Sequence, residues 1–309
     1  MAGVEPPVSD PAVRPTTQMD VVKAAVKQLR PKQWAKNVFL FAAIIFSRKF
    51  TDPDAVMNVL VGFASFSLVA SSGYILNDYL DREADRKHPK KRFRPIASGA
   101  LPVPAAWALL VVCLVGGFGL AWSLGPDFLG ITVVYLVTTK SYSFYFKHRV
   151  ILDVMFLASG FVWRAIAGAL AIGVHVSPWL FLCTAFVALF LGFNKRYAEL
   201  LQLGDKAGTR RNLQHYSPKI LEQYQAIVTA STVLCYALYT VQGTTPWMTL
   251  TIPYVLYGIF RYIYLVEQKG QGGAPDETLL SDVPILVNGL LFALTAAAVL
   301  LAVDGQLPP

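Results

Sequence analysis

Charge is scarce in this sequence. Asp, Glu, Lys and Arg make up 15% of it, against about 25% in soluble domains. With 55% apolar residues, that shortage argues against a water-soluble fold and for a chain that crosses a membrane several times. Cysteine is scarcer still. Cys113, Cys183 and Cys235 each lie inside an apolar run with no pairing or metal-ligand spacing, so they read as small buried hydrophobes. The first residues, MAGVEPPVSDPAVRPTTQMD, lack the basic-then-apolar order of a signal peptide. They are polar and proline-rich, so residues 1–19 are expected to be a disordered tail and 20–309 a single transmembrane domain. No G-x-x-x-x-G-K-[ST], H-E-x-x-H or G-x-S-x-G occurs, which removes the common phosphate-loop, zinc-protease and serine-hydrolase signatures.

What the sequence does have is apolar runs near the length that crosses about 30 Å of hydrocarbon. Nine are expected, near 34–50, 55–78, 103–124, 128–145, 150–173, 178–200, 220–242, 247–266 and 279–303. The fold class is therefore all-α and polytopic. Ahead of the first run, VVKAAVKQLR sets Val22, Ala25, Val26 and Leu29 on one helical face, the pattern of an interfacial helix. Nine spans put the termini on opposite sides. With the N-terminus inside, every Lys and Arg except Arg48, Lys49 and Arg164 falls on the cytoplasmic side or at the helix ends that flank it. The net charge of +8 thus reads as basic cytoplasmic loops rather than nucleic-acid binding. The expected location is the plasma (inner) membrane, with all large polar segments in the cytoplasm.

The scarce charge is concentrated in one place. NDYLDREADRKHPKKRFRPIASG, at 77–99, holds four acids and seven bases directly after an uncharged apolar run. Asn77, Asp81 and Asp85 follow one another at i, i+4 and i+8 and stack along one helix face. Asp78 stands within reach at i, i+3 of Asp81. Hard divalent cations take such oxygens, and magnesium is commonly held by one or two carboxylates together with substrate phosphates. Asn77, Asp81 and Asp85 are therefore the candidate Mg2+ ligands and catalytic residues. The plain alternative is a solvated helix end whose acids pair with Arg82, Arg86 and Lys87. Lys90, Lys91, Arg92 and Arg94 follow in a loop closed by two prolines and a glycine. They suit phosphate oxygens, and they also serve as an orientation signal.

N-D-x-x-D-x-x-x-D at 77–85, closing a membrane helix, resembles the first aspartate motif of the UbiA family of intramembrane prenyltransferases. RPKQWAKN at 30–37, HPKKRFRPIASG at 88–99, YSFYFKHRVILDV at 142–154, RAIAG at 164–168 and NKRYAEL at 194–200 are similar to one branch of that family. The similarity runs from about residue 20 to the C-terminus. It implies a UbiA-like helical bundle with a cytoplasmic-facing site. It also implies transfer of 5-phosphoribose from phosphoribosyl pyrophosphate to a polyprenyl phosphate, decaprenyl phosphate in that branch, as the first step of an arabinose-donor lipid for the cell wall. The second acidic motif of the family's prenyltransferases, D-x-x-x-D, is missing. Glu199 and Asp205 are its only acids in FNKRYAELLQLGDKAGTRRNLQHYS, and they do not share a helix face. The bases Lys195, Arg196, Lys206, Arg210 and Arg211 there suit another phosphate group instead.

Further candidates complete the expected substrate site. Tyr142 and Lys147 close the fourth run, and Lys32, Gln33 and Lys36 precede the first, where a hold on the lipid's phosphate competes with a simple interfacial anchor. Asp153 and Arg164, eleven apart, share a face of the fifth run, where a structural ion-pair role competes with catalysis. His148, His175 and His215 are isolated loop residues with little claim to chemistry. The expected substrate-binding set is Asp78, Lys90, Arg92, Arg94, Tyr142, Lys147, Lys195, Arg196, Glu199, Lys36 and Gln33. Two other readings stand beside this one: an isoprenoid transfer from a diphosphate to an aromatic or other acceptor, and a transporter. The oligomeric state stays open.

Overall fold

The computed structural model describes residues 17–203, 213–242 and 245–304. Those residues form helices and connecting turns, with no strand among them. The helices are α1 (Gln18–Leu29), α2 (Phe41–Phe46), α3 (Pro53–Leu80), α4 (Arg82–Lys87), α5 (Val103–Ser123), α6 (Pro126–Phe144) and α7 (Leu152–Ala171), then α8 (Pro178–Leu203), α9 (Pro218–Gln242), α10 (Ile252–Lys269), α11 (Pro275–Ser281) and α12 (Val283–Asp304). Proline opens α3, α6, α8, α9 and α11. There its missing N–H is no loss and its fixed φ already suits a helix. Asp52 caps α3 by accepting from the N–H groups of Asp54 and Ala55.

Seven helical segments are long and apolar enough to cross a membrane by length and composition, and they coincide with seven of the nine expected spans. The fourth expected span is α6, whose polar run TTKSYS at 138–143 dilutes it. The first is not a regular α-helix. Pro31–Leu40 is a 3-10 stretch, followed by the short α2, and the chain breaks at Arg48 with φ 60°. Because a 3-10 stretch rises about 2.0 Å per residue, residues 31–46 reach about 29 Å, close to a bilayer core.

Two further expectations change. Residues 1–16 lie outside the described residues, but Thr17 caps α1 and Gln18 and Met19 belong to it, so the tail is shorter than 1–19. On α1, the inward residues are Ala24 and Gln28, with Val21, Ala25 and Leu29 partly covered. Val22 and Val26, expected on the same face as Ala25 and Leu29, remain 61% and 53% exposed. The helix thus docks on α3 through one stripe and leaves a second apolar stripe outward.

Two large cores hold the bundle. One joins α2, α3, α6 and α7 around Leu40, Val59, Phe66, Phe128, Tyr135 and Ala167. The other joins α7, α8, α9 and α10 around Val154, Phe190, Phe193, Leu221, Ile259 and Tyr262. Helix α7 belongs to both. Its approach to the 3-10 stretch is so close that a Cβ on Gly168 would collide with the carbonyl oxygen of Leu40 and lie 2.9 Å from its Cα. Arg164, one turn earlier, fixes the same contact. Its Nε donates to Asn37 Oδ1 at 2.6 Å, while Asn37 Nδ2 donates to Ser67 Oγ of α3 at 2.9 Å. Arg164 also donates to Tyr135 Oη at 2.9 Å and lies over that ring. It therefore pairs with neutral groups, not with Asp153. Cys183 and Cys235, expected as separate hydrophobes, meet across α8 and α9 with their sulfurs 3.6 Å apart.

Candidate active site

The charged residues gather at one end of the bundle, where α3 gives way to α4. Helix α3 stops at Leu80, and Asp81 links it to α4 with φ −87° and ψ 0°. The helical spacing nevertheless continues, since Asp81 N donates to Asn77 O at 2.9 Å and Asp85 N to Asp81 O at 2.8 Å. The i, i+4, i+8 ladder of Asn77, Asp81 and Asp85 therefore survives the break.

Its three members have different surroundings. Asp81 is exposed, and its side chain has no partner among the described residues. Asn77 Nδ2 donates to Ser143 Oγ of α6 at 3.3 Å, and Asn77 Oδ1 accepts from Lys140 Nζ at 3.3 Å. Asp85 is buried and accepts from Arg94 at 2.7 Å. The same Arg94 nitrogen donates to Asp78 Oδ1 at 3.0 Å, so one arginine bridges two buried carboxylates.

Asp78 is further engaged. Arg30 approaches both of its oxygens at 2.7 Å, and Gln28 Nε2 donates to Oδ2 at 2.9 Å. Arg30 ends α1 in the left-handed conformation, φ 55°, just before Pro31. Asp78 thus ties the N-terminal arm and the basic loop to α3. Its oxygens, expected to touch substrate, accept from Arg30, Arg94 and Gln28 here. The simple alternative for the acids, pairing with Arg82 and Arg86, applies only to Glu83.

The basic loop is held by backbone contacts. His88 Nδ1 accepts from the N–H groups of Lys90 and Lys91 at 3.2 Å each. Lys90, Lys91 and Arg92 are exposed, and Arg92 lies over the Phe93 ring. Lys147, in a 3-10 turn after α6, is exposed as well.

A second polar network joins α6, α7 and α8. Arg196, 1% exposed, donates to Asp153 at 2.7 Å, Glu199 at 2.6 Å and Tyr142 Oη at 3.3 Å. Tyr216 donates to Asp153 at 3.1 Å and accepts from Ile151 N at 2.6 Å. Burial pushes the Tyr216 phenol above its ordinary pKa, so it remains a donor. Ile151 carries φ 68° and ψ −50°, and Leu152 N donates to Val150 O across it at 2.8 Å. That is a strained γ-turn for a β-branched residue, and it sets Asp153 at the start of α7. Arg196 was expected to face a phosphate. Its guanidinium is enclosed by the Asp153 and Glu199 carboxylates and the Tyr142 phenol. The bases Lys206, Arg210 and Arg211, and Asp205, lie outside the described residues.

Lys36 and Lys195 sit at a different boundary. Both line an apolar cavity of about 180 Å³ with Phe39, Phe161, Leu191 and Leu279. Lys36 Nζ also donates to Gln33 Oε1 at 2.6 Å. Phe39 lines two more cavities, of about 440 and 280 Å³, whose walls are almost wholly apolar and share Val187, Thr232, Val255 and Phe292. Three mainly apolar cavities thus share Phe39, and two lysines rim one of them. The ladder connects to them through α6 and α8: Ser143 contacts Asn77, its neighbour Tyr142 contacts Arg196, and Lys195 precedes Arg196.

Sequence reasoning missed Gln28, Arg30 and Lys140. Lys140 was detectable, because a lysine in an apolar run calls for a partner or a cavity. Arg30 and Gln28 meet Asp78 across about fifty positions of chain, and no local pattern announces that.

The sequence model of the UbiA prenyltransferase family matches residues 37–276. The chain belongs to this family. It is 38% identical over 282 residues to a decaprenyl-phosphate phosphoribosyltransferase of Corynebacterium glutamicum, covering 86% of this chain and 83% of that one. It is 35% identical over 289 residues to the Mycobacterium tuberculosis protein of the same name, covering 90% and 95%. The fold matches that of a UbiA homologue from Archaeoglobus fulgidus bound to GPP and Mg2+, with TM-score 0.70, 19% identity and coverage of 89% and 99%.

Among the described residues, no three His, Cys, Asp or Glu side chains form a ready metal cluster. The ladder nonetheless has the chemistry of a magnesium site, since Asn77, Asp81 and Asp85 offer only hard oxygens. Asn77 Oδ1 accepts from Lys140 and Asp85 Oδ2 from Arg94, so a metal here would share those oxygens with two cations.

Proposed function

We propose that this chain transfers 5-phosphoribose from phosphoribosyl pyrophosphate to decaprenyl phosphate, releasing pyrophosphate, in a magnesium-dependent reaction at the cytoplasmic face of the plasma membrane. The observation that carries this reading is the meeting of two anion sites of different kinds. Asp81 and the exposed bases face water at the α3–α4 junction, while Lys36 and Lys195 rim an apolar cavity. A soluble polyphosphate suits the first and a lipid phosphate the second. The relatives, similar over most of their length, name that pair of substrates' reaction class.

The mechanism follows from charge. The bond from the anomeric carbon to the diphosphate breaks as a bond to an oxygen of the lipid phosphate forms. The lipid phosphate is already an anion at neutral pH, so no general base is needed. Bound magnesium would neutralise charge growing on the departing diphosphate. Asn77, Asp81 and Asp85 would hold it there. Lys90, Lys91, Arg92 and Lys147 bind the donor's remaining phosphate oxygens. Arg94 is steered by Asp78 and Asp85 toward the same space. Lys36, oriented by Gln33, and Lys195 hold the lipid phosphate, and the tail runs into the cavities around Phe39. Tyr142, Arg196 and Glu199 separate the two anion sites and fix their distance, which supplies the orientation part of the rate.

The test is transfer of label from ribose-labelled phosphoribosyl pyrophosphate into decaprenyl phosphate by the detergent-purified protein, with and without magnesium. Labelled lipid only when magnesium is present is the expected result. Label entering lipid solely from an isoprenoid diphosphate onto an aromatic acceptor would replace this reading with plain prenyl transfer. No lipid product from any donor, with solute flux in liposomes, would replace it with transport.

A further inference from the structure

Among the described residues, Lys140 has an ammonium group with no negative partner. It lies near the end of α6, half-buried, and its Nζ donates to Gly73 O at 3.1 Å and to Asn77 Oδ1 at 3.3 Å. Both acceptors are neutral. Among the described residues no carboxylate bridges to Lys140. The nearby buried acids are already matched: Asp78 and Asp85 with Arg30 and Arg94, and Asp153 with Arg196.

A desolvated cation held only by dipoles is costly. It becomes favourable when an anion arrives within hydrogen-bond reach. Its position selects that anion. Lys140 touches the first rung of the ladder, Asn77, and a Cβ on Gly73 would stand 3.8 Å from its Nζ, so a glycine leaves room beside it.

We propose that Lys140 binds the diphosphate of the donor directly and leaves Asn77 as it does so. This inference rests on the phosphoribosyl transfer above and names a further substrate-contacting residue in that site. The ammonium turns from Asn77 Oδ1 to a diphosphate oxygen, which frees the amide oxygen for the ladder. The same side chain thus occupies Asn77 while the site is empty and then becomes a fixed positive charge on the leaving group. No covalent step is involved.

Two probes separate the diphosphate from the rest of the donor: inorganic pyrophosphate and ribose 5-phosphate, each titrated calorimetrically with magnesium into the detergent-purified chain. Lys140→Met should weaken pyrophosphate about 10- to 100-fold, the usual range for one charge-assisted contact, and leave ribose 5-phosphate within about twofold. Lys140→Arg should restore most of the pyrophosphate affinity. On the wild-type chain, acetylation of Lys140 read by peptide mass spectrometry should be blocked by magnesium pyrophosphate and not by ribose 5-phosphate. This arm stands even if the variants do not survive purification. Equal pyrophosphate affinity in Lys140→Met, equal weakening of both probes, or acetylation indifferent to pyrophosphate would each overturn the assignment. A wild-type chain that binds no pyrophosphate at all would instead overturn the phosphoribosyl-transfer reading.

Discussion

Arg94 bridges Asp78 at 3.0 Å and Asp85 at 2.7 Å, and the two contacts are not equivalent. Without Arg94, Asp78 retains Arg30 and Gln28, whereas Asp85 has no other side-chain partner among the described residues. Breaking a buried pair from one side costs about 3–5 kcal/mol. Arg94 is 27% exposed, so solvent screens part of that, and about 1–3 kcal/mol is expected for Arg94→Met. At roughly 2–4 °C per kcal/mol for a chain of this size, the melting temperature in detergent should fall by about 3–10 °C. Asp85→Asn should cost a similar amount alone and add little on top of Arg94→Met, because the orphaned charge is gone. The coupling between positions 94 and 85 should exceed about 1 kcal/mol and be larger than that between 94 and 78. The assay is thermal unfolding of the four proteins of each cycle, followed by intrinsic fluorescence. Additivity within about 0.5 kcal/mol at positions 94 and 85 would refute the bridge as a structural element.

Other perturbations test separate parts of the structure. Asp81→Ala should abolish transfer with an unchanged melting temperature, since Asp81 is exposed and unpartnered among the described residues; retained turnover would remove it from the magnesium site. Gly168→Ala should destabilise the chain by about 1–3 kcal/mol, because the new methyl group meets the Leu40 backbone; a melting curve identical to wild type would contradict that approach. Copper phenanthroline should join Cys183 to Cys235, whose sulfurs are 3.6 Å apart; peptide mapping that finds both thiols free after oxidation would contradict the α8–α9 packing.

Most membrane-spanning helices were legible because a helix that must bury apolar surface in lipid writes a continuous run of it. The run at 34–50 was expected as an apolar span, but its 3-10 geometry was not legible, because apolarity alone does not tell one helix type from another and its inward contacts are polar: Trp34 to Ser71 and Asn37 to Ser67. The ladder was legible because fourfold spacing is a property of one helix. Its electrostatics were not, because the partners come from elsewhere: Arg30 from the arm, Lys140 from α6, Arg94 from beyond α4. Asp153 and Arg164 share a face, yet each finds its partner on a different helix. Spacing sets direction along one helix. It does not set which neighbour waits there.

The arrangement of those partners bears on function more than the acids alone do. Asp78, Asp85 and Asp153 are neutralised within the chain by Arg30, Arg94 and Arg196. Among the described residues at this end of the bundle, Asp81 is an exposed carboxylate without a partner, and Lys90, Lys91, Arg92, Lys140 and Lys147 have no carboxylate partner. A bare divalent cation gains little by entering so positive a region. A polyphosphate gains much, and a magnesium ion that enters on it meets Asp81 first. On the proposed function, metal and donor would therefore enter as one complex, with the carboxylate ladder as a ledge for it rather than a standing metal site.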